Sequence, residues 1–250
     1  MQNLHRIPRL YSDRPLGAGL SVTLDADQSR YLIKVMRLKA GSQVRLFNGA
    51  AGEWLCTIGS PAGKSCPVEC DEQLAAPGVL PDIDYLFAPL KSARLDYLAQ
   101  KATEMGARRL RPVITEHTVV RKVNIERLAA NAREAAEQCN MVALPEVCAP
   151  EKLETVLAKW DPARRLIFCD EAAPQADPLK TLGGIAPGPL ALLIGPEGGF
   201  SPAEQAGLRE LPFVTPISLG PRIMRADTAA VAAMAIVQAV LGDWPASKQD

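Results

Sequence analysis

Two short segments near the end of the chain combine the residue types that could carry out chemistry. Residues 190–204 read LALLIGPEGGFSPAE and residues 217–228 read ISLGPRIMRADT, so each places apolar residues before a glycine-containing turn and a helix start. In open α/β sheets, ligands bind in the crevice beyond the carboxyl ends of the strands. Two turns of this kind therefore predict one pocket for a small molecule.

The first turn contains three glycines and one carboxylate. Its glycines allow a ligand to approach the backbone closely, and the SPAE sequence after them is typical of a capping box with proline at the first helical position. A helix start behind a glycine turn often binds phosphate, which leaves a nucleotide-binding enzyme as one alternative. The chain lacks both the GxxxxGK[ST] and the GxGxxG sequences, however, and Glu197 would repel a phosphate group. The carboxylate better fits a cationic or hydroxyl-bearing ligand, or proton transfer.

The second turn carries fixed positive charge beside apolar side chains. Arg222 and Arg225 flank Ile223 and Met224, two residues that could line a flat ring. The helix that follows consists mostly of small apolar residues. It must therefore pack closely, either on its own sheet or on a partner subunit.

Composition indicates an ordinary globular protein. Of 250 residues, 48% are hydrophobic, and 28 basic residues balance 28 acidic ones, so no global charge points to nucleic acid and only a local basic face could do so. The amino-terminal residues lack the apolar stretch of a signal peptide and no apolar run has membrane-spanning length, so we expect a cytoplasmic protein. The six cysteines are scattered and only two histidines are present, which predicts reduced thiols and no metal site.

The pattern of elements predicts two domains. Residues 1–74 contain short β-rich runs at 21–24, 43–47, 53–58 and 66–70 and one helix at about 27–38, which is typical of a small β-barrel. Residues 75–81, AAPGVLP, predict a linker. Residues 82–250 alternate strands with helices, which predicts an α/β domain with a mostly parallel sheet covered on both faces. The predicted strands there are 83–88, 109–114, 165–169, 190–194 and 213–219, and the predicted helices are 92–105, 124–139 and 151–160, with two more from about 202 and 228.

The segments IGPEGGFSPAE and LGPRIMRADTA resemble the signatures of the SPOUT-superfamily methyltransferases that make N3-methyluridine in bacterial 16S ribosomal RNA. The similarity extends through RIPRLY at 6–11, VMRL at 35–38, QKATEMG at 100–106 and EAAEQC at 134–139. The resemblance implies a PUA-like, RNA-binding β-barrel over 1–74 and a SPOUT domain over 82–250 whose chain end forms a deep trefoil knot. It also implies a homodimer in which each site is completed by the neighbouring subunit, and 16S rRNA, free or within the small subunit, as substrate.

The same resemblance implies S-adenosyl-L-methionine as cofactor, held chiefly by backbone groups. Asp170 and Glu171, after the strand that ends at Cys169, would form a third wall of its pocket. The implied cofactor contacts in the two turns are Leu193, Gly195, Glu197, Gly199, Leu219, Gly220, Ile223, Met224 and Arg225.

Three positions depart from the family pattern. Asp227 stands where glutamate is usual, His117 where arginine is usual, and Asn140 where a basic residue is common. The last two weaken the expectation that their loops grip RNA in the family manner. These two do not change the cofactor turns.

Methylation at uridine N3 requires loss of the imide proton, so the protein must position the base and stabilise its anion. In this hypothesis Arg225 stabilises the negative charge that develops on a uracil carbonyl oxygen, and Glu197 or Asp227 is the general base. Simpler roles compete with this hypothesis. Glu197 could bond nearby amides, Asp227 could cap the helix, and Arg225 could pair with Asp227.

Contacts to RNA phosphates are expected from basic residues of the barrel and of the pocket mouth. A single surface cation is more often merely solvated, so the prediction concerns their sum. A non-catalytic RNA-binding factor remains an alternative, which the intact pocket motifs disfavour. The predicted RNA contacts are Arg6, Arg9, Arg14, Arg37, Lys91, Arg94, Lys101 and Arg222.

Overall fold

The computed structural model describes residues 4–60, 65–173 and 177–244, so the outermost residues of both predicted domains lie outside it. The chain divides into two compact units, one formed by Met1–Val79 with Ala136–Leu144 and the other by Leu80–Ala135 with Pro145–Asp250. The first change of unit falls inside the segment 75–81. Nothing in the sequence pattern indicates that residues 136–144 belong to the first unit. Within the described ranges, no helix has the length and hydrophobicity needed to cross a membrane.

The first unit is built on a five-stranded sheet. Its strands are β1 (Arg9–Tyr11), β2 (Ser21–Thr23), β3 (Gln43–Asn48), β4 (Gly52–Ile58) and β5 (Pro67–Ala75). Their order is β1-β3-β4-β5-β2, with β1 parallel to β3 and the other pairs antiparallel. Inward-facing residues such as Val44, Leu46 and Val68 form one core. The four predicted β-runs are confirmed, whereas β1 is too short to give a periodic signal.

The helix predicted in this unit is confirmed in its first half only. Asp25 caps α1 (Ala26–Arg30), because its carboxylate accepts a hydrogen bond of 2.7 Å from the Gln28 amide. The helix then widens into a π-helical turn over Tyr31–Val35. Arg37 adopts φ 55°, and this left-handed backbone ends the helix short of its predicted end.

The second unit contains a parallel sheet with helices between its strands. The strand order is β12-β10-β11-β6-β7-β8, β9 also pairs with β7, and every recorded pair is parallel. The predicted strands and helices are confirmed, while β8, β9 and α5 are additional, because such short elements show no period. In chain order the elements are β6 (Ile83–Phe87), α2 (Ser92–Glu104), β7 (Arg109–Ile114), α3 (Ile125–Gln138), β8 (Glu146–Val147), β9 (Glu151–Lys152), α4 (Leu153–Ala158), β10 (Arg165–Cys169), α5 (Pro178–Gly183), β11 (Leu190–Ile194), α6 (Pro202–Glu210), β12 (Val214–Ile217) and α7 (Ala226–Leu241).

Two hydrophobic cores cover the two faces of this sheet, as predicted. Successive side chains of a strand point to opposite faces, and along β6 Tyr85 enters one core while Leu86 enters the other. The first core includes Ala233 of α7, so the buried side of this small-residue helix packs on its own sheet. The second core includes Leu208 of α6.

A buried carboxylate braces the amino-terminal ends of the central strands. Asp84 on β6 is fully buried and lies 3.1 Å from Arg109, 3.3 Å from Arg111 and 3.6 Å from Arg164. A charge removed from water is tolerated only with such partners. The Asp84 charge in turn raises the pKa of Arg109. This cluster fixes β6 beside β7 at the edge of the sheet where the strands begin.

A buried arginine ties the end of α3 into the first unit. Arg9 pairs with Glu53 at 2.9 Å and lies 3.6 Å above the Phe47 ring. It also donates hydrogen bonds of 2.8 Å to the carbonyls of Ala136 and Met141. Carbonyls at the end of a helix lack intrahelical partners, and a cation there is stabilising. Because Arg9 is only 8% exposed and its donors face this chain, the prediction that it contacts RNA is wrong.

We expect Arg9→Met to lower the free energy of unfolding by at least about 2 kcal/mol, because the buried Glu53 carboxylate then keeps, among the described residues, only Arg45, at 2.9 Å, and the helix-end carbonyls lose their donor. Urea titration followed by tryptophan fluorescence measures the change. Arg14→Met is the control, since it removes an exposed pair with Asp13 at 3.6 Å and should change stability by less than about 1 kcal/mol. Equal effects of the two substitutions would contradict the role given to Arg9.

Tyr85 provides a second stability prediction. Its hydroxyl is fully buried without a hydrogen-bond partner among the described residues, and burial raises its pKa well above the ordinary value. We expect Tyr85→Phe to increase the free energy of unfolding by up to about 1 kcal/mol, because the unsatisfied hydroxyl is removed. Above about pH 10 the unfolded parent loses the Tyr85 proton while the folded parent keeps it. The free energy of unfolding of the parent therefore falls as the pH rises through this range.

The Tyr85→Phe variant has no such proton to lose on unfolding, so its free energy of unfolding should fall less than that of the parent between about pH 8 and pH 10.5. Urea titrations at the two pH values test both statements. A variant destabilised by more than about 1 kcal/mol would show instead that the hydroxyl has a partner.

Candidate active site

A cleft of about 310 Å³ opens where three neighbouring strands of the second unit end. Its walls come from the turns after β10, β11 and β12, and the first residues of α7 close it. Parallel strands end at the same edge of a sheet, so turns that are distant in sequence meet there. The prediction that the two glycine-containing turns form one pocket is confirmed.

Most of the residues predicted to contact a cofactor line this cleft. Leu193 does not belong to the lining, because its side chain is fully buried in the core beneath α6, and its backbone contact with the cofactor stays a prediction. The neighbouring Ile194 lines the cleft instead, as the alternation of a β-strand requires. The predicted residues that do line the cleft are Gly195, Glu197, Gly199, Leu219, Gly220, Ile223, Met224 and Arg225.

Glycine is required at specific points of the cleft. A Cβ at Gly195 would lie 2.6 Å from a ring carbon of Phe200, which itself packs edge-on against Phe168. Gly199 and Gly220 have φ of 67° and 103°, a backbone region that other residues seldom adopt. The glycines therefore keep the backbone close to the cleft and free of side chains.

The turn after β10 forms the predicted third wall. Asp170 is buried and accepts hydrogen bonds from Arg209 of α6 at 2.7 and 2.6 Å, so its carboxylate holds the turn in place. Glu171 lines the cleft and is exposed. Cys169 lines it too, and burial together with the Asp170 charge raises the pKa of its thiol.

The loop after β7 is fastened to the first glycine turn. The predicted capping box is confirmed, because Ser201 and Glu204 exchange hydrogen bonds across the first turn of α6. Glu204 also accepts a 2.9 Å hydrogen bond from the Glu116 amide. The ring Nδ1 of His117 lies 3.0 Å from the Gly198 carbonyl oxygen. His117, a departure from the family pattern, therefore supports the cleft, a role that its isolated position in the sequence does not signal.

The two candidate bases share one arginine. Arg94, in the first turn of α2, lies 3.1 Å from Glu197 and 3.8 Å from Asp227. The Asp227 carboxylate also accepts a 2.8 Å hydrogen bond from the Thr228 amide. Glu197 lines the cleft, whereas Asp227 does not belong to its lining.

The simpler roles considered for Asp227 and Arg225 do not hold. Arg225 occupies the N-cap position of α7, with φ −65° and ψ 150° and no capping bond from its side chain. Asp227 therefore lies inside the first turn and is not the cap. Among the described residues, the ion-pair partner of Asp227 is Arg94, and no pair joins it to Arg225. The Arg225 side chain is exposed and lines the cleft.

The basic residues predicted to contact RNA occupy different environments. Arg9 is buried as described, Arg94 pairs with the two carboxylates, and Lys101 lies 2.7 Å from Glu104. Arg222 is exposed and lines the cleft. The remaining predicted residues are exposed, and they are Arg6, Arg14, Arg37 and Lys91.

Comparison with known proteins identifies the family. Residues 79–238 match the model of an RNA methyltransferase domain, and residues 24–69 match that of an RNA methyltransferase PUA domain. The ribosomal RNA small subunit methyltransferase E of Rickettsia conorii is 30% identical over 232 residues, which cover 92% of this chain and 94% of the relative. That of Synechocystis is 29% identical over 227 residues, covering 88% and 74%.

A solved structure supports the same relationship. The ribosomal RNA small subunit methyltransferase E of Neisseria gonorrhoeae, bound to S-adenosyl methionine, superposes with a TM-score of 0.84 at 26% identity. The match covers 96% of this chain and all of that one. It extends over both units, the PUA-like sheet and the SPOUT α/β domain, as the sequence resemblance predicted. The chain belongs to the RNA methyltransferase family that includes the ribosomal RNA small subunit methyltransferases E.

Proposed function

We propose that the protein uses S-adenosyl-L-methionine to methylate N3 of a specific uridine in the 16S rRNA of the small ribosomal subunit. The observation that carries this proposal is the convergence of the turns after β10, β11 and β12 on one cleft, in a chain of the RNA methyltransferase family. The relative from Neisseria gonorrhoeae, which shares the fold over nearly the whole chain, was solved with S-adenosyl methionine bound.

The cleft has the groups that this cofactor needs. The backbone at Gly199 and Gly220, free of side chains, offers carbonyl oxygens, while Leu219 and Met224 provide apolar surface for the adenine ring. The Glu171 carboxylate suits the positive charges of the ligand. When bound, S-adenosyl-L-methionine supplies a methyl group activated by its sulfonium.

The residues at the mouth of the cleft have distinct tasks in the reaction. Arg225 places its positive charge where negative charge develops on a uracil carbonyl oxygen. The N3–H bond of uracil breaks, and its proton passes to a carboxylate oxygen. Glu197 is the better acceptor because it lines the cleft, whereas Asp227 does not belong to the lining. Arg222 is exposed beside them and contacts the RNA backbone.

The proposal extends to the assembly and its substrate. We propose a homodimer, a deep trefoil knot in the SPOUT domain, a cytoplasmic location, and the assembled small subunit as the preferred substrate. Support for a subunit contact comes from α7, whose Val231, Ala232 and Ile236 are only partly buried in the single chain. Support for RNA binding comes from the PUA match and from the exposed cations Arg6, Arg14, Arg37 and Lys91.

The test is methyl transfer to small-subunit RNA and to 30S particles from a strain that lacks the enzyme. We expect N3-methyluridine by mass spectrometry, and a rate about 100-fold lower for Arg225→Met, because one charge-stabilising group is lost. The cofactor affinity of the variant, measured by calorimetry, shows whether its pocket is intact. A different methylated base, or an undiminished rate in the variant, would overturn the corresponding assignment.

The glycine geometry gives a paired prediction. Gly195→Ala places a Cβ 2.6 Å from the Phe200 ring, so we expect S-adenosyl-L-methionine to bind at least about tenfold more weakly. Gly207→Ala is the matched control, because a Cβ there has no neighbour within 4 Å. Since Gly207 lies inside α6, alanine should raise stability by up to about 1 kcal/mol and leave binding unchanged. Calorimetry measures both affinities, and equal binding by the two variants would contradict the prediction.

A further inference from the structure

Arg94 is held by the carboxylates of Glu197 and Asp227, although its sequence position suggested an RNA phosphate contact. Its Nη1 donates to the Glu197 carboxylate at 3.1 Å, and its Nε lies 3.8 Å from the Asp227 carboxylate. These carboxylates belong to the turn after β11 and to the first turn of α7, and Arg94 belongs to the first turn of α2. One side chain therefore links three segments that follow three different strands.

The position of Arg94 in its helix calls for such partners. The amino-terminal end of a helix carries partial positive charge, so a cation in the first turn is unfavourable. No acidic residue occupies the first turn of α2, and Lys91 at the N-cap position makes no capping bond with its side chain. Glu197 and Asp227 together supply the negative charge that this helix end lacks.

Glu197 depends on Arg94 in return. Its side chain is 43% exposed in a glycine-rich turn, where the backbone is adaptable. Within the described ranges, its carboxylate has one recorded polar partner, the Arg94 guanidinium. Without that partner the carboxylate would sample several rotamers, and only some of them point toward the cleft.

We propose that Arg94 is a positioning residue that holds the Glu197 carboxylate at the cleft mouth and joins it to Asp227, and that it is not an RNA phosphate contact. The inference rests on the proposed function for its kinetic consequence only. The two roles exclude each other, because a phosphate on the same guanidinium would bring a third negative charge beside two carboxylates. Asp227, one methylene shorter than the glutamate usual in the family, lies at the long end of ion-pair distance.

The first test needs no RNA and no cofactor. The Gly199 amide bonds to the Pro196 carbonyl at 2.9 Å, and the Ala229 amide bonds to the Arg225 carbonyl at 2.8 Å. We expect Arg94→Met to speed amide hydrogen exchange at residues 197–200 and 226–229 by at least about tenfold, because both segments lose their shared anchor. Lys91→Met is the control, since Lys91 is exposed on the same helix end without an ion pair among the described residues. Unchanged exchange in Arg94→Met would overturn the proposal.

The second test separates positioning from phosphate binding. In single-turnover methylation of 30S particles at saturating RNA, we expect Arg94→Met to be about 10–100-fold slower. Its RNA affinity and the salt dependence of that affinity should match those of the parent. Lys91→Met is expected instead to weaken RNA binding and to lower the salt slope by about one. An Arg94→Met protein with the Lys91→Met profile would overturn the proposal.

Two further variants test whether the effect of Arg94→Met comes from the lost contact with the carboxylates and not from misfolding. Arg94→Lys keeps the charge but lacks the planar fork that reaches two carboxylates, so its rate should lie between those of the parent and Arg94→Met. Adding Arg94→Met to Glu197→Gln should slow the reaction little further, because Arg94 acts through the Glu197 carboxylate, which Glu197→Gln has already removed. Fully multiplicative effects would overturn the proposal. If the parent itself transfers no methyl group, the proposed function fails, while the exchange experiment still decides the role of Arg94.

Discussion

The parallel pairing of β10 with both β11 and β12 is the constraint on which the candidate site depends. It places the carboxyl ends of three strands side by side, so that turns from distant parts of the sequence form one cleft. Reversing a single strand would move its turn to the opposite edge of the sheet. Asp84 and its arginines stabilise that opposite edge, where charge is buried among strand beginnings. One edge of the sheet thus carries the ligand-binding cleft, and the opposite edge carries the buried charges that stabilise the sheet.

Several of the charged side chains around the cleft lie in the first turns of helices, where the helix end carries partial positive charge. Since α6 and α7 follow β11 and β12 directly, both helices begin at the edge that carries the cleft. Acidic residues in their first turns, Glu204 and Asp227, suit the positive helix ends. Glu204 has a second task in fastening the loop after β7. Arg94 in α2 breaks the rule, and the compensation for it comes from carboxylates of other segments. The charged groups of the site are therefore few and mutually dependent.

The sequence predicted the elements well where the hydrophobic period was long enough to read. The strands and helices around the cleft follow from such periods, and the cleft itself follows from the order of turns along a parallel sheet. A strand buried on both faces shows no alternation, so the sequence could not tell that the Ile194 side chain faces the cleft and the Leu193 side chain the core. The Arg94 pairs were missed because their partners are separated by 103 residues or more along the chain, and no local pattern records such a contact.

Arg9 was misassigned for a similar reason. Nothing in its neighbourhood in sequence separates an arginine on a protein surface from one buried beneath a helix end. The capping of α7 was also misassigned, since a helix start can be read from sequence only to within a residue or two. Local chemistry was therefore accessible from the sequence, whereas long-range charge pairing required the fold.

The Arg9 contacts also bear on the order in which the chain can fold. The first unit includes residues 136–144, so the acceptor carbonyls of Ala136 and Met141 are synthesised well after the strands of that unit. In a nascent chain that has emerged only as far as Val79, Arg9 has Glu53 and Phe47 as partners but lacks its two acceptor carbonyls. The unit is completed when the intervening loop closes, at an entropic cost that grows only slowly with loop length. The amino-terminal unit therefore gains these acceptors only after the first strands of the second unit have been synthesised.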